Sequence, residues 1–315
     1  MELISSTTLL FLFLISLPIL VSSLRHQSGA KSKRRRPPGP WGFPFVGSLH
    51  HLLTSQPQAA LRDLADKHGP VMYLRLGQVD TVVVSSPAAA QAVLRDHDLN
   101  FASRPRLLGP EVMCYGCLDV AFAPYGAYWR AMRKVAVVEL LSARKVGQFA
   151  PIRDGETMSL VRELRAAAGE PVNLGGLLAS CANSITATAA FGDRCRGGSK
   201  ERFLEAMAVA LSTSLGFCVS DLFPSLRLLD VVAGTRRRLR RAHRKLDQVL
   251  DEIIAECEAR RKSAVQGGDG GGEEEEEELL SVMLRIRDEG GFDFPITTTN
   301  IKAIIVLLDF QDHLL

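Results

Sequence analysis

The chain has 315 residues, enough to bury the core of one large domain or two small ones. Hydrophobic residues make up 46% and charged residues 23%, an ordinary globular balance, and the net charge of +3 is too small to argue by itself for a nucleic-acid partner. Six cysteines, at 114, 117, 181, 195, 218 and 257, lack the dense regular spacing of a secreted disulfide scaffold.

Leu3 to Leu24 is uncharged and mostly apolar. As a helix it would rise about 33 Å, enough to cross a hydrocarbon layer about 30 Å thick, and Pro18 would kink it without forbidding it. Val21-Ser22-Ser23 offers a cleavage site for a signal peptide, but Glu2 and no Lys or Arg precedes the stretch. Residues 1–24 are therefore expected to be a transmembrane anchor. Arg25, Lys31, Lys33, Arg34, Arg35 and Arg36 follow, a stop-transfer flank attracted to anionic lipid, which places the rest of the chain on the cytosolic side. Pro37-Pro38-Gly39-Pro40, with Pro44 and Gly47, completes a proline-rich hinge, so that residues 25–48 are read as flank and stiff spacer.

Leu52 to His68 has helical character and stops at Gly69-Pro70. Val71 to Leu76 and Thr81 to Ser85 are short β-branched or aromatic runs on either side of Gly77, the pattern of a hairpin. Pro87 to Asp96 should be a helix capped by Ser86. From Tyr125 onward helices dominate, with candidates at 126–140, 142–168, 173–191, 199–216, 233–262, 275–288 and 297–312. Gly267 to Gly272 and the six glutamates Glu273 to Glu278 form a low-complexity loop over 267–278, kept mobile by glycine and like charge. The expected fold is mainly α with a small β-sheet.

Trp129 and Arg133 stand four apart and share one helix face. An indole N–H beside a guanidinium fork suits a carboxylate or propionate, although an amphipathic helix with Trp129 inward and Arg133 outward explains the same spacing. Cys114 and Cys117 form a lone C-x-x-C with no second pair at a zinc spacing, and are read as packing residues. Glu258 and Arg261 match Glu-x-x-Arg on a charged helix, where i, i+3 surface pairing is the plain reading. Arg236, Arg237, Arg238, Arg240, Arg241, Arg244 and Lys245 are read as a solvated or membrane-facing helix row, with no nucleic acid as partner.

An ordered series of segments gives these pieces a common meaning. After the anchor, the basic flank and Pro37-Pro38-Gly39-Pro40 come His68-Gly69-Pro70 and Tyr73-Leu74-Arg75-Leu76-Gly77. Then follow Phe101-Ala102-Ser103-Arg104-Pro105, and Phe122-Ala123-Pro124-Tyr125-Gly126 with Tyr128-Trp129-Arg130 and Arg133-Lys134. Phe191-Gly192-Asp193-Arg194-Cys195 and Asn300-Ile301-Lys302-Ala303-Ile304-Ile305 close the series. In this order the chain resembles the plant microsomal cytochromes P-450 over nearly its whole length.

The resemblance implies a partial cytochrome P-450 fold over 49–315 behind a single N-terminal membrane helix at the endoplasmic reticulum, with a haem cofactor. Trp129 and Arg133 would hold haem propionates. The segment from about Pro105 to Phe122, with Val112, Leu118 and Phe122, would face a small hydrophobic substrate. Arg130 and Lys134 would help dock an NADPH-cytochrome reductase. The implied activity is insertion of one oxygen atom into a small hydrophobic plant metabolite.

The family's thiolate ligand, acid–alcohol pair of the distal helix and proximal Glu-x-x-Arg should lie near or beyond residue 310. The match is good through Ile305 and fails at Phe310-Gln311-Asp312-His313, as a shifted frame, retained intron or aberrant exon end would produce. Phe191 to Gly197 imitates the haem-cysteine loop, but Cys195 follows Arg194 directly where the loop requires one residue between. No catalytic residue, metal ligand or axial cysteine is therefore assigned. The chain is expected to be inactive as it stands and prone to aggregation, its Trp129 helix lacking cover. The rival readings are a non-catalytic membrane-tethered helical fragment and a basic membrane-surface module.

Overall fold

The computed structural model describes residues 36–192, 198–214, 216–266, 278–290 and 294–312. The expected anchor and most of its basic flank, Cys195 with its imitation loop, nearly all of the Gly/Glu loop, and His313 to Leu315 lie outside them. Two compact units divide at Asp98 and Leu99.

The first unit holds helix α1 (Pro57–His68), the antiparallel strands β1 (Val71–Leu76) and β2 (Val79–Val84), and helix α2 (Pro87–Gln91). The register runs from Val71 opposite Val84 to Leu76 opposite Val79, and Gly77 turns the chain with φ 64°. Helix α1 starts at Pro57, five residues later than Leu52, because proline fits the first helical turn and 49–52 makes only a 3₁₀ turn. Ser86 caps α2 by accepting from the Ala89 N–H, and the helix then widens into an i→i+5 turn over Ala92–Asp96.

The proline-rich segment lies along β1. The Tyr73 N–H donates to the Pro38 carbonyl at 2.8 Å, Ser48 donates to Arg75 at 2.6 Å and Gly77 to Val46 at 3.0 Å. A Cβ at Gly39 would stand 2.0 Å from the Tyr73 carbonyl oxygen, so only glycine admits this approach. Met72 and Leu74 point from β1 onto Leu64 of α1 and form this unit's small core.

The second unit is helical. Its elements are α3 (Leu108–Met113), α4 (Ala127–Lys134), α5 (Ala143–Gln148), α6 (Ala150–Ala166), α7 (Leu174–Phe191), α8 (Ser199–Ser214), α9 (Val219–Leu222), α10 (Arg227–Val232), α11 (Thr235–Gln266), α12 (Leu279–Glu289) and α13 (Thr298–Asp312). The single helix expected over 142–168 is broken at Phe149, where Pro151 occupies the first turn of a new helix and cannot donate back to the old one. Helices α3, α9 and α10 were absent from the expectation.

Leu239, Leu246, Leu250, Ile253 and Cys257 of α11 are buried, and α8 packs along that row through Phe203, Met207, Ala210 and Leu211. Leu280, Met283 and Leu284 of α12 and Ile301, Ile304 and Ile305 of α13 complete the core beside Phe191. Helix α7 is long and apolar enough to cross a membrane by length and composition, yet its last turns, Ala187 to Phe191, are buried in this core.

Candidate functional site

Helix α4 carries the Trp129–Arg133 pair on its outward face and buries Met132 on the other, and the i→i+5 helical turn that continues it over Val135–Leu140 adds Val135 and Leu140 to the core. The Arg133 guanidinium carbon stands 5.0 Å from the Trp129 ring centroid, a cation–π stack between neighbouring turns. The Trp129 indole N–H donates to the Val120 carbonyl at 2.8 Å, so its donor is engaged by the preceding segment. Arg133 is exposed and its guanidinium faces no carboxylate of the described residues. Arg130 lies over Tyr125, and with Lys134 it forms an exposed basic row beside the pair.

The segment before α4 is held by its polar groups. Asp119 is completely buried, and its Oδ1 accepts from the N–H groups of Ala121 at 2.7 Å and Phe122 at 2.8 Å. Burial pushes its carboxyl above the ordinary value despite those two donors, and Oδ2 has no hydrogen-bond partner. The Tyr128 hydroxyl donates to the Leu118 carbonyl at 2.6 Å and accepts from the Asn300 amide of α13 at 2.8 Å. Thus α4 grips residues 118–120 through two side chains and α13 through one of them.

Further back, Tyr115, Gly116 and Cys117 all lie in the left-handed region, with φ of 53°, 78° and 65°. The Tyr115 hydroxyl donates to Asp247 Oδ1 at 2.8 Å. Lys302 Nζ, on the nearly buried side chain of α13, reaches Asp247 at 2.6 Å and Asp251 at 2.7 Å. The His243 ring meets Tyr115 edge-on at 4.6 Å. Cys114 and Cys117 are buried on either side, and burial, reinforced by the Asp119 charge, pushes both thiols up and keeps them protonated, as suits packing.

Two of these groups give a pH prediction. Burial holds the His243 imidazole below its ordinary 6.5, the Lys302 charge adding and Asp247 opposing. The folded state therefore prefers the neutral ring, and its stability falls as pH drops below 6.5, where the unfolded chain takes up the proton first. For Asp247, burial works upward, but the hydrogen bonds from Lys302 and Tyr115 and the neighbouring charges outweigh it and hold the group below 3.8. Its contribution is present above 3.8 and is lost as pH falls through the lower folded value. Urea midpoints are expected to fall from pH 7 to pH 5, less steeply in His243→Gln; an unchanged slope in that variant would contradict the assignment.

The structure brings Trp129 and Arg133 together and leaves Arg130 and Lys134 exposed beside them. Val112 lies in the last turn of α3 and, like Phe122, packs partly buried against the main core, while Leu118 is half-buried next to Asp119. Glu258 and Arg261 differ from the expected i, i+3 surface pairing. Glu258 accepts from Arg287 at 2.7 Å and Arg261 donates to Asp288 at 3.0 Å, since α12 lies alongside and offers better partners than the same helix. The basic row of α11 is outward, with Arg237, Arg238, Arg240, Arg241, Arg244 and Lys245 exposed and Leu239, Ala242 and Leu246 inward.

No role for Tyr115, Asp119 or Asp247 is legible in the sequence, and Tyr128, Asn300 and Lys302 stand there only within the family-like segments. One signal was available: Asp247 and Asp251 lie four apart on α11 and so share a face.

Comparison with known proteins now adds the family. The sequence profile of the cytochrome P-450 family matches residues 37–310. The chain belongs to the cytochrome P-450 family. It is 56% identical to 9-beta-pimara-7,15-diene oxidase of Oryza sativa subsp. japonica, over 97% of this chain and 58% of that protein. To premnaspirodiene oxygenase of Hyoscyamus muticus it is 42% identical, over 94% of this chain and 58% of that protein. A zebrafish cytochrome P-450 solved with progesterone shares the fold, with a TM-score of 0.59 at 20% identity, over 80% of this chain and 55% of that one. The chain thus spans a little under three-fifths of the length of these plant relatives. Cytochromes P-450 are haem-dependent monooxygenases, which draw electrons from a redox partner and act on hydrophobic substrates.

Proposed function

We propose that the whole protein, of which this chain spans a little under three-fifths by the length of its relatives, works as a plant haem-thiolate monooxygenase on a cyclic terpenoid hydrocarbon, anchored in the endoplasmic reticulum membrane through residues 1–24 with its domain in the cytosol. The reading rests on the family and on two relatives, one named as the oxidase of a diene and the other as the oxygenase of a second diene. Haem, when bound, supplies the oxygen activation; the residues of this chain bind and orient it. The observation that favours this role is Arg133, a guanidinium stacked on Trp129 with its donors unclaimed by any described carboxylate. A planar fork fixed in this way fits a haem propionate. Trp129 orients that fork, and its own N–H reaches a propionate when it exchanges the Val120 carbonyl for it.

Val112, Leu118 and Phe122 supply the apolar wall for the hydrocarbon. Arg130 and Lys134 offer an exposed positive row to an acidic face of an NADPH-cytochrome reductase, speeding encounter through charge complementarity.

Haem retention by the protein expressed with its reductase tests the reading, followed by incubation with terpenoid dienes. Arg133→Ala is expected to weaken haem retention about tenfold to a hundredfold, the effect of losing hydrogen bonds to a charged group, with Arg133→Lys intermediate. Retention equal to the unaltered protein in Arg133→Ala would remove the propionate role. No reduced carbon monoxide band from the haem-supplemented whole protein would remove the enzyme reading.

A further inference from the structure

We propose that Tyr115, seated on the Asp247–Lys302 ion pair, is a positioning residue that fixes the path of residues 108–122 and thereby selects which hydrocarbon the wall of Val112, Leu118 and Phe122 accepts. The first half is a statement about this chain's own packing, and only the last step rests on the monooxygenase reading.

The backbone supplies the reason a device is needed here. A tyrosine and a cysteine adopt left-handed φ values of 53° and 65° on either side of Gly116 at 78°. Side chains other than glycine disfavour that region, so such a run persists only where its surroundings hold it. Local bonds are few in kind: the Gly116 N–H donates to the Glu111 carbonyl at 2.8 Å and the Leu118 N–H to the Cys114 carbonyl at 2.9 Å. These close the turn but leave its direction open.

The direction is set by Tyr115. Its hydroxyl reaches Asp247 of α11, its ring edge meets His243 one turn earlier on the same helix, and Lys302 of α13 stands 6.0 Å from its ring centroid. Lys302 in turn fixes Asp247 at 2.6 Å. A right-handed Tyr115 would swing the ring away from α11 and forfeit all three contacts. It would also move Cys114 and Cys117, which are 2% and 3% exposed, from their buried places.

The rest of the segment is held elsewhere. Asp221 Oδ1 accepts from the Leu108 N–H at 2.9 Å, and Tyr128 and Trp129 hold the Leu118 and Val120 carbonyls. Tyr115 is the tie in the middle, between Val112 and Leu118. Loosening it leaves both ends attached and frees the part that carries the proposed wall.

Tyr115→Phe keeps the ring and removes the hydroxyl, so the protein should still fold. In the full chain, amide hydrogen exchange at Gly116 and Leu118 is expected to rise about tenfold, the effect of losing a hydrogen bond to a charged acceptor, while amides within α11 such as Leu246 and Leu250 keep their rates. Asp247→Asn, which retains an oxygen for Tyr115, should leave the Gly116 and Leu118 rates nearer those of the unaltered protein. In the whole protein, with haem and reductase present, Tyr115→Phe should change KM and the product ratio for a terpenoid diene without changing haem retention.

Unchanged exchange at Gly116 and Leu118 overturns the positioning role. So does an equal rise throughout the chain, which would mean general loosening. Local loosening with an unchanged KM and product ratio overturns the selection step. If no terpenoid is oxidised by the unaltered protein while the exchange change stays local, it is the function reading that has failed.

Discussion

Phe191→Ala is expected to cost about 3–5 kcal/mol of folding stability, the range for emptying a fully buried aromatic site. Phe191 is 1% exposed and its ring meets Phe203 of α8 edge-on, with centroids 4.9 Å apart and planes at 80°. That geometry adds about 0.5–1.5 kcal/mol to the burial itself. The site has little freedom to collapse, because α7 ends here: the Gly192 N–H donates to Thr188 at 2.7 Å, and Gly192 turns away with φ 73°. A loss of this size is a large share of the 5–15 kcal/mol that typically separates folded from unfolded chains. The urea midpoint of the far-ultraviolet signal measures it, and Phe191→Leu should lose less than about 1.5 kcal/mol because volume is nearly conserved. Equal losses in the two variants would show that the ring geometry with Phe203, and not the buried volume, carries the loss.

Much of this core was legible, and the reason is local. Ser86 announces α2, because a short polar side chain accepts from the first free N–H groups; the structure shows Ser86 accepting from Ala89, and Asn173, where the helix over 173–191 was expected to begin, accepting likewise from Gly176. Gly77 between two β-branched runs marks the hairpin because the turn needs positive φ. Trp129 and Arg133 could be paired from spacing alone, since four residues return the helix to one face.

What could not be read depends on partners far along the chain. Helix α3 contains Gly109 and Pro110, which argue against a helix, and the side chain that receives its first N–H is Asp221, 113 residues away. The left-handed Tyr115 has no sequence mark, because it is held by Asp247, 132 residues on. The family resemblance implies a propionate for Trp129, and in the structure its N–H donates to Val120, a backbone carbonyl that no side-chain pattern reveals. Glu258 and Arg261 chose α12 over each other for the same reason, since the competing partner was invisible along one helix.

Lys302→Met is expected to cost about 2–4 kcal/mol, a little under the range for stripping one member from a fully buried ion pair. The lysine side chain is 8% exposed, while those of Asp247 and Asp251 are 33% and 61% exposed. Asp251 can turn to water when the ammonium goes, so the loss falls mainly on Asp247, which keeps Tyr115 as donor but loses its counter-charge. Methionine fills the space of the lysine stem, which limits any cavity contribution. The double variant Lys302→Met with Asp247→Asn should regain more than half of the loss, because the uncompensated carboxylate is then gone. Acid should have a parallel effect. With Lys302 present, its hydrogen bond and charge overcome burial and keep Asp247 below 3.8; without it, burial prevails and the carboxyl accepts a proton more readily. The gap in urea midpoint between Lys302→Met and the unaltered protein should therefore narrow as pH falls from 7 to 4.5, whereas a fixed gap would place the loss in packing.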